Sequence, residues 1–230
     1  MERTFNGISY GRFLLMLVLV ITLVFAIAPN AFAGYLDGGK KEIANNGAAA
    51  TIETQSPYVV YDSSAWVMTF DKNDTTGYKY AQVGYVKQVG DTKPYYFWEV
   101  SNSISNYKFQ KLATSPSTGT HHDYMVGCDS TYMYYKVDGV DRGSTLLSSY
   151  SFTRNAIQIM TETQSSNDQN PGSVSNPVTM GAAQYKSTSN VWTSTKCTNP
   201  FSIGYGSATT QRNNISSSGA SSWEVWDSRY

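Results

Sequence analysis

A glutamine and a glutamate are expected to face each other across a β-hairpin in the first half of the chain. Two runs of aromatic and β-branched residues, Tyr80–Val89 and Tyr95–Val100, flank the turn formers Gly90-Asp91. With the turn centred there, Gln82 lies opposite Glu99. An amide and a carboxylate held among aromatic rings are the groups of a ligand-binding face, where a few polar groups orient a ligand that apolar groups cover.

The two faces of this hairpin differ in polarity. Because side chains alternate along a strand, one face carries Gln82, Gly84, Tyr95, Phe97 and Glu99, and the other carries Ala81, Val83, Tyr85, Tyr96, Trp98 and Val100. The second set is apolar and is expected to face the core. The first set, which Tyr80 joins, is expected to form the site. Gly84 is expected to leave room for the ring of Phe97.

Other residues that could do chemistry do not form a recognised site. His121 and His122 are adjacent, so on a strand they point to opposite faces and would not hold one metal ion together. The sequence lacks a Gly-x-Ser-x-Gly nucleophile motif and a phosphate-binding Gly-Lys-Ser/Thr motif. Asp138-Gly139 favours a tight hairpin turn. The sequence also leaves open a structural calcium site. We expect no cofactor and no catalytic metal ion.

The charge balance argues against nucleic acid as a partner. The chain has 17 basic and 17 acidic residues among 230, whereas nucleic-acid binding depends on many Lys and Arg contacts to phosphate. Charged residues make up only 15% of the chain, while Tyr occurs 18 times. This composition favours strands and turns over helices.

The first 33 residues are predicted to be an export signal. Two arginines accompany the uncharged apolar run Phe13–Ile27, which is shorter than the roughly 20 residues that a bilayer span needs. Ala31-Phe32-Ala33 has the small residues of a cleavage site, so cleavage is predicted between Ala33 and Gly34. The mature chain is expected to be secreted, without stable membrane insertion.

The remaining chain is predicted to be one β domain over residues 49–230, preceded by a flexible Gly- and Asn-rich segment over 34–48. Short aromatic and β-branched stretches separated by turn formers predict the strands Ala49–Glu53, Tyr58–Tyr61, Ala65–Phe70, Tyr80–Val89, Tyr95–Val100, Tyr107–Leu112, His122–Cys128, Thr131–Val137, Ala156–Glu162, Val178–Lys186 and Ser222–Ser228. Many short strands at this spacing predict an all-β antiparallel sandwich of the concanavalin-like kind.

The chain contains two cysteines, Cys128 and Cys197. In an exported protein they can form one disulfide. Two free thiols in the core are the alternative, because a mature chain of about 200 residues can build its own core without a disulfide.

Several short motifs follow one another in a fixed order between residues 64 and 186. They are Ser64-Ala65-Trp66-Val67, Gln82-Val83-Gly84, Trp98-Glu99, Asn155–Glu162 and Met180-Gly181. In this order and rough spacing the chain resembles the eqolisin glutamic peptidases and, more loosely, neprosin. Over its whole length it also resembles the YrpD-like group of small exported Bacillus proteins, for which no activity is implied. The peptidase resemblance implies a sandwich of two curved sheets with a cleft on the concave face.

The same resemblance implies a catalytic pair. In eqolisins a glutamate acts as general base on a water and a glutamine donates to the oxyanion. Gln82 matches that glutamine, but Gln158 falls at the glutamate position, and an amide cannot accept the proton. Glu162 lies four residues further along the strand, roughly 13 Å away. Neprosin instead uses two glutamates, and Gln82 occupies the position of the first. Gln82, Glu99 and Glu162 are therefore the catalytic candidates.

We expect the protein to be a monomer that binds an extracellular glycan or peptide without cleaving it. Gln82, Glu99 and Gln158 would supply polar contacts, and Tyr80, Tyr95 and Phe97 would supply the stacking surface. The first alternative is an acid-active glutamic-type endopeptidase that pairs Gln82 with Glu162 or Glu99. The second alternative is a structural matrix or coat protein, which would associate through free strand edges.

Overall fold

The computed structural model describes residues 34–199 and 210–230. Within them the chain forms β1 (Tyr35–Glu42), β2 (Gly47–Glu53), β3 (Asp62–Phe70), β4 (Tyr80–Gln88), β5 (Tyr95–Ser103), β6 (Asn106–Lys111), β7 (His121–Cys128), β8 (Tyr132–Val137), β9 (Val140–Leu146), β10 (Ala156–Thr163), β11 (Val178–Lys186), β12 (Trp192–Ser194), β13 (Gln211–Asn213) and β14 (Trp223–Asp227). The predicted export signal lies outside the described residues. No helix in the described ranges is long and apolar enough to cross a membrane.

The strands form two sheets packed as a sandwich, which confirms the predicted all-β class. The six-stranded sheet has the order β1-β10-β3-β4-β5-β6. The other sheet has the order β13-β14-β11-β2-β7-β8-β9, and β12 pairs with β11. The pairings of both sheets are antiparallel.

The main core lies between the two sheets. Alternate residues of β4 and β5, such as Val83, Tyr85 and Trp98, face the second sheet and are buried there. The ring of Trp98 stacks on Tyr135 of β8, with centroids 4.7 Å apart and an interplanar angle of 9°. The Trp98 indole N–H donates to the carbonyl of Arg142 at 3.1 Å, so the polar end of this buried ring is also paired.

The outer face of the six-stranded sheet carries a second apolar cluster, formed by Trp66, Met68, Tyr80, Val86, Phe97 and Met160. A sheet of a two-layer sandwich usually has one apolar and one polar face. Here both faces of β3, β4 and β5 bury side chains. Polar groups on the outer face are therefore held in apolar surroundings.

The predicted hairpin is confirmed in its register. Gln82 pairs with Glu99, Gly84 with Phe97, and Val86 with Tyr95. Gly84 has a further role that the sequence did not indicate. An ideal Cβ at Gly84 would lie 2.0 Å from the carbonyl oxygen of Ala65 and 2.7 Å from the Cα of Trp66. Glycine is needed at this position because β3 approaches closely.

The segment predicted to be flexible is instead the edge strand β1 and the start of β2. Register pairs β1 with β10 from Tyr35↔Thr163 to Glu42↔Ala156. Its glycines allow this close pairing, since a Cβ at Gly38 would lie 2.3 Å from the carbonyl oxygen of Ile159. The glycine content that predicted looseness therefore serves strand packing.

The prediction of a strand over Tyr58–Tyr61 is also wrong. Asp168, which is 1% exposed, accepts the backbone N–H groups of Val60 and Tyr61 at 2.5 and 2.8 Å. Side-chain capping of this kind replaces the hydrogen bonds of a neighbouring strand. The aromatic side chains that predicted a strand are exposed here, Tyr58 by 60% and Tyr61 by 64%.

Sequence patterns missed the short strands β12 and β13 and the strand β9. The tight turn predicted at Asp138-Gly139 is present, with φ values of 53° and 74°. It connects β8 directly to β9, whose polar sequence VDRGSTL gave little strand signal.

Of the two alternatives for the cysteines, the structure has the free thiols: Cys128 and Cys197 are both unpaired in the core. Cys128 ends β7 opposite Met133. Cys197 pairs with Ala220 and lies under Gly39, where an added Cβ would be 2.7 Å from the Cβ of the cysteine. Burial raises the pKa of Cys197 to about 12 and also raises the pKa of Cys128, which disfavours the reactive thiolate forms.

Replacing Gly84 by Ala is expected to lower the free energy of unfolding by about 1–3 kcal/mol, because the new methyl group collides with the β3 backbone. Gly181→Ala is the matched control, since its nearest neighbour is the Ser222 hydroxyl at 3.0 Å, a side-chain atom that can move away at the cost of its hydrogen bond to the Met180 carbonyl. Urea unfolding measures both variants. Equal losses in the two variants would contradict this account of the close approach.

Candidate functional site

The register of the six-stranded sheet places six side chains in one row across its outer face. In order from β1 to β6 they are Lys40, Gln158, Met68, Gln82, Glu99 and Phe109. Side chains on paired residues of neighbouring strands lie side by side. Gln158 and Gln82 are therefore separated by Met68 alone, and Glu99 is directly beside Gln82.

Glu99 is held by hydrogen bonds from the strands on both sides of β5. The Tyr80 hydroxyl donates to Oε1, in a very short contact, and the Gln82 amide donates to Oε2 at 3.0 Å. The Tyr107 hydroxyl of β6 is also within hydrogen-bonding reach. Glu99 is only 9% exposed. Burial raises the pKa of its carboxyl, and the hydrogen bonds from Tyr80, Gln82 and Tyr107 oppose this rise only in part.

The Gln82 amide is satisfied at one end only. Its Nε2 donates to Glu99, whereas its buried Oε1 has no hydrogen-bond partner in the described part of the chain. Rotating the amide by 180° would exchange oxygen and nitrogen, and one end would still lack a partner. Leaving a buried polar atom unpaired costs about 1–3 kcal/mol.

Two further carboxyls lie on this face. Glu162 accepts from the Trp66 indole N–H at 3.1 Å and from the Gln164 amide at 2.9 Å. Burial, and then the nearby carboxyls of Glu99 and Asp62, raise the pKa of Glu162 to about 8. Burial, together with Asp168 and Glu99, raises the pKa of Asp62 to about 7. These carboxyls are biased toward their neutral forms.

Glu162 does not join the row that contains Gln82. It pairs with Ser64, whereas Gln158 pairs with Met68, the neighbour of Gln82. In this register Gln158, and not Glu162, shares the row with Gln82. The carboxylate that contacts Gln82 is Glu99.

The predicted stacking residues differ in their access to solvent. Tyr80 and Phe97 are 4% and 2% exposed, so they form the buried base of the face and offer no open ring surface. Tyr95 and Gln158 are half-buried. The half-buried rings of Phe70 and Phe109 lie against the same apolar cluster, and Tyr107 is 50% exposed.

Tyr107, Trp66 and Asp62 are members of this face that were not predicted from the sequence. Tyr107 lies in a predicted strand, and its alternation is visible in the sequence. Its position beside Glu99 depends on a register shift in β5 and β6 between Ser101 and Ser103. No turn motif in the sequence encodes that shift.

The histidines do not form a metal centre. No group of three or more His, Cys, Asp or Glu side chains in the described ranges could hold an ion. His122 Nδ1 is 2.7 Å from Asp138 Oδ2, and its Nε2 is 2.8 Å from the Thr120 hydroxyl. The Thr120 hydroxyl donates to the Ser117 carbonyl, so its proton is already engaged.

Comparison with known proteins identifies the fold. No family model matches the chain, and no curated protein matches it. Solved structures of scytalido-glutamic peptidase with transition-state analogues are similar, at 14–15% identity and TM-scores of 0.57 and 0.58. SCP-B, a member of the eqolisin family solved with the tripeptide Ala-Ile-His, is similar at 14% identity and a TM-score of 0.57. Each comparison covers 84% of this chain and 98% of the other. At this identity the likeness shows a shared fold alone, and that fold is the predicted one.

Replacing Asp62 by Asn is expected to change how stability depends on pH. The folded-state pKa of Asp62, about 7, is above its usual value of 3.8. Its favourable contribution is therefore complete below about pH 4 and is lost as the pH rises through 7. The unfolding free energy of the wild-type protein should fall by about 1–3 kcal/mol relative to Asp62→Asn across this window.

Urea unfolding at intervals from pH 4 to 8 measures this difference. Asp141→Asn, which removes an exposed carboxyl on β9, is the control. Parallel curves for wild type and Asp62→Asn would contradict the raised pKa of Asp62.

Proposed function

We propose that the outer face of the six-stranded sheet binds an extracellular polymer, a glycan or a peptide, and does not cleave it. The observation that carries this proposal is the half-satisfied Gln82 amide beside a Glu99 carboxyl that the protein already holds through both oxygens. Glycans and peptides both offer hydrogen-bond donors and acceptors that can complete such an amide.

The same geometry argues against hydrolysis. A general base must be ionised at the working pH and must reach a water. Burial raises the pKa of Glu99, which favours its neutral form in acid, and the hydroxyl of Tyr80 and the amide of Gln82 contact its two oxygens. Gln158, the side chain on the other side of Met68, is an amide and cannot act as a base.

The aromatic side chains around this row support binding. Phe70, Tyr95, Tyr107 and Phe109 are half-buried or exposed and surround the buried cluster. Flat rings of this kind stack on sugar rings or on the side chains of a peptide. Lys40, at the β1 end of the row, lies 5.6 Å from the centre of the Phe70 ring and offers a further donor.

The predicted export of the chain supports an extracellular ligand. The resemblance to the YrpD-like group of exported proteins belongs to this proposal and implies no activity by itself. Secretion, a monomeric state and the absence of nucleic-acid partners are likewise parts of the proposal.

An acid-active glutamic-type endopeptidase is the second candidate. The 3.0 Å contact between Gln82 and Glu99 favours it, because it brings together the two residue types that such an enzyme uses. For this activity, Glu99 would have to ionise and exchange the Gln82 contact for a water. Glu162 would have to move out of its own row to serve instead.

Ligand binding is expected to weaken when solvent-accessible side chains of the outer face are replaced by alanine. Tyr107→Ala and Gln158→Ala should each lower affinity about two- to tenfold, through loss of stacking and of hydrogen bonds, while the fold is kept. The probes are solubilised peptidoglycan fragments and peptides from digested casein, with binding followed by calorimetry.

Tyr132→Ala is the matched control for this experiment. Tyr132 is 45% exposed and lies on β8 of the other sheet, so its removal should leave affinity unchanged. If a probe binds and both test variants bind it as tightly as wild type, the ligand does not lie on this face.

A further inference from the structure

The backbone of Gly34 lies directly on the carboxyl group of Glu162. An ideal Cβ at Gly34 would be 2.5 Å from Glu162 Oε1, 3.0 Å from its Cγ and 3.2 Å from its Cδ. The contact follows from the register, since Leu36 pairs with Glu162 and Gly34 points to the same face of the sheet two residues earlier. Any side chain at position 34 would displace the carboxyl.

The nitrogen of Gly34 is close to the same carboxyl. It is bonded to the same Cα as the ideal Cβ, so covalent geometry limits its distance from Oε1 to about 5 Å. A small rotation of this chain end would bring the nitrogen into hydrogen-bonding range.

Glu162 has polar contacts but no cation among the described residues. Its hydrogen-bond donors Trp66 and Gln164 are neutral, and none of the ion pairs in the described ranges includes it. The other titratable groups that act on it are the carboxyls of Glu99 and Asp62 and the phenols of Tyr80 and Tyr107. The Glu162 site is therefore short of positive charge.

The predicted cleavage site supplies that charge. When signal peptidase hydrolyses the bond between Ala33 and Gly34, the C–N bond breaks, water gives its hydroxyl to the Ala33 carbonyl, and the Gly34 nitrogen becomes an amine. An α-amine has an ordinary pKa of about 7.7–8.0 and is protonated at neutral pH.

We propose that Glu162 is a binding site for the new N-terminal ammonium of Gly34, so that signal removal completes an ion pair on the outer face of the sheet. This inference rests on the predicted cleavage after Ala33 and is independent of the ligand. The uncleaved chain has an amide at this position, which cannot carry the charge. The mature fold therefore differs from the precursor fold by one ion pair in a part-buried site.

The ion pair has a defined pH dependence. It raises the pKa of the folded amine and lowers the pKa of Glu162, so its stabilisation is lost at high pH, as the amine deprotonates through its folded pKa, and again at low pH, as Glu162 is protonated through its folded pKa. Without the amine, Glu162 keeps a pKa of about 8 and is mostly neutral at pH 6.5.

The test compares two exported chains with defined ends. The full-length wild type and a variant with one Ser inserted between Ala33 and Gly34 are secreted, and mass spectrometry identifies each mature end. The insertion moves the amine away from Glu162. At pH 6.5 it should lower the melting temperature by about 2–4 °C, and this difference should shrink toward zero by about pH 10.

The same insertion in a Glu162→Gln background identifies the partner. There it should leave the melting temperature unchanged, whereas in a control Glu224→Gln background the loss should persist, since Glu224 lies on β14 and contacts Asn214. If Glu162→Gln is not secreted, the pH dependence of the melting-temperature difference between wild type and the insertion variant tests the proposal instead.

Three results would overturn the proposal. They are a mature wild-type chain that does not begin at Gly34, equal melting temperatures for the two chains at pH 6.5, and an insertion penalty that is the same with and without Glu162.

Discussion

Burial of the Glu99 carboxyl on the outer face of a sheet is the constraint on which the site depends. A carboxyl in apolar surroundings is tolerated only when it is hydrogen-bonded or neutral. Tyr80 and Gln82 of β4 and Tyr107 of β6 meet this need from the two neighbouring strands. The register of β4, β5 and β6 is thereby tied to one buried side chain. The Gln82 amide that supports Glu99 is left half-satisfied, and the proposed ligand would supply its missing partner.

The outer face also concentrates the carboxyls of Glu99, Glu162 and Asp62, and none of the three forms an ion pair with a described residue. In addition to burial, the Glu99 carboxyl raises the pKa values of Glu162 and Asp62, and Asp62 also raises the pKa of Glu162. The raised pKa values favour the neutral forms of these carboxyls, and under the proposed function this suits hydrogen bonding to an uncharged polymer better than proton abstraction in acid. Under the proposed processing, Gly34 would bring a positive charge to Glu162. Removal of the signal, which creates the amine just before strand β1, would then also change the charge of the outer face.

The sequence was sufficient where the determining interactions are local. A turn at Gly90-Asp91 and strict side-chain alternation predicted the pairing of Gln82 with Glu99 and the two faces of the hairpin, and both are confirmed. Non-local contacts explain the failures. Gly38 was predicted to lie in a loop because its close pairing with β10 is not visible in the local sequence. Tyr58 and Tyr61 were predicted to lie in a strand because the distant side chains that accept their backbone N–H groups, Gln169 and Asp168, are not visible there either. Whether two cysteines meet is likewise a property of the assembled sheets. The burial of Tyr80 and Phe97 could not be predicted from the sequence either. Alternation predicts one buried and one open face for a sheet, whereas here a second apolar cluster also buries side chains on the outer face.

The central claim is that this face has the two residue types of a glutamic peptidase without its catalytic function. The most direct test is incubation of the purified secreted chain with unfolded casein from about pH 3 to 7, with Gln82→Ala and Glu99→Gln alongside. Folding of each chain would be checked by circular dichroism at each pH. We predict no cleavage by the folded wild type at any pH. Cleavage by wild type that both substitutions abolish would contradict this account and would establish Gln82 and Glu99 as a catalytic pair.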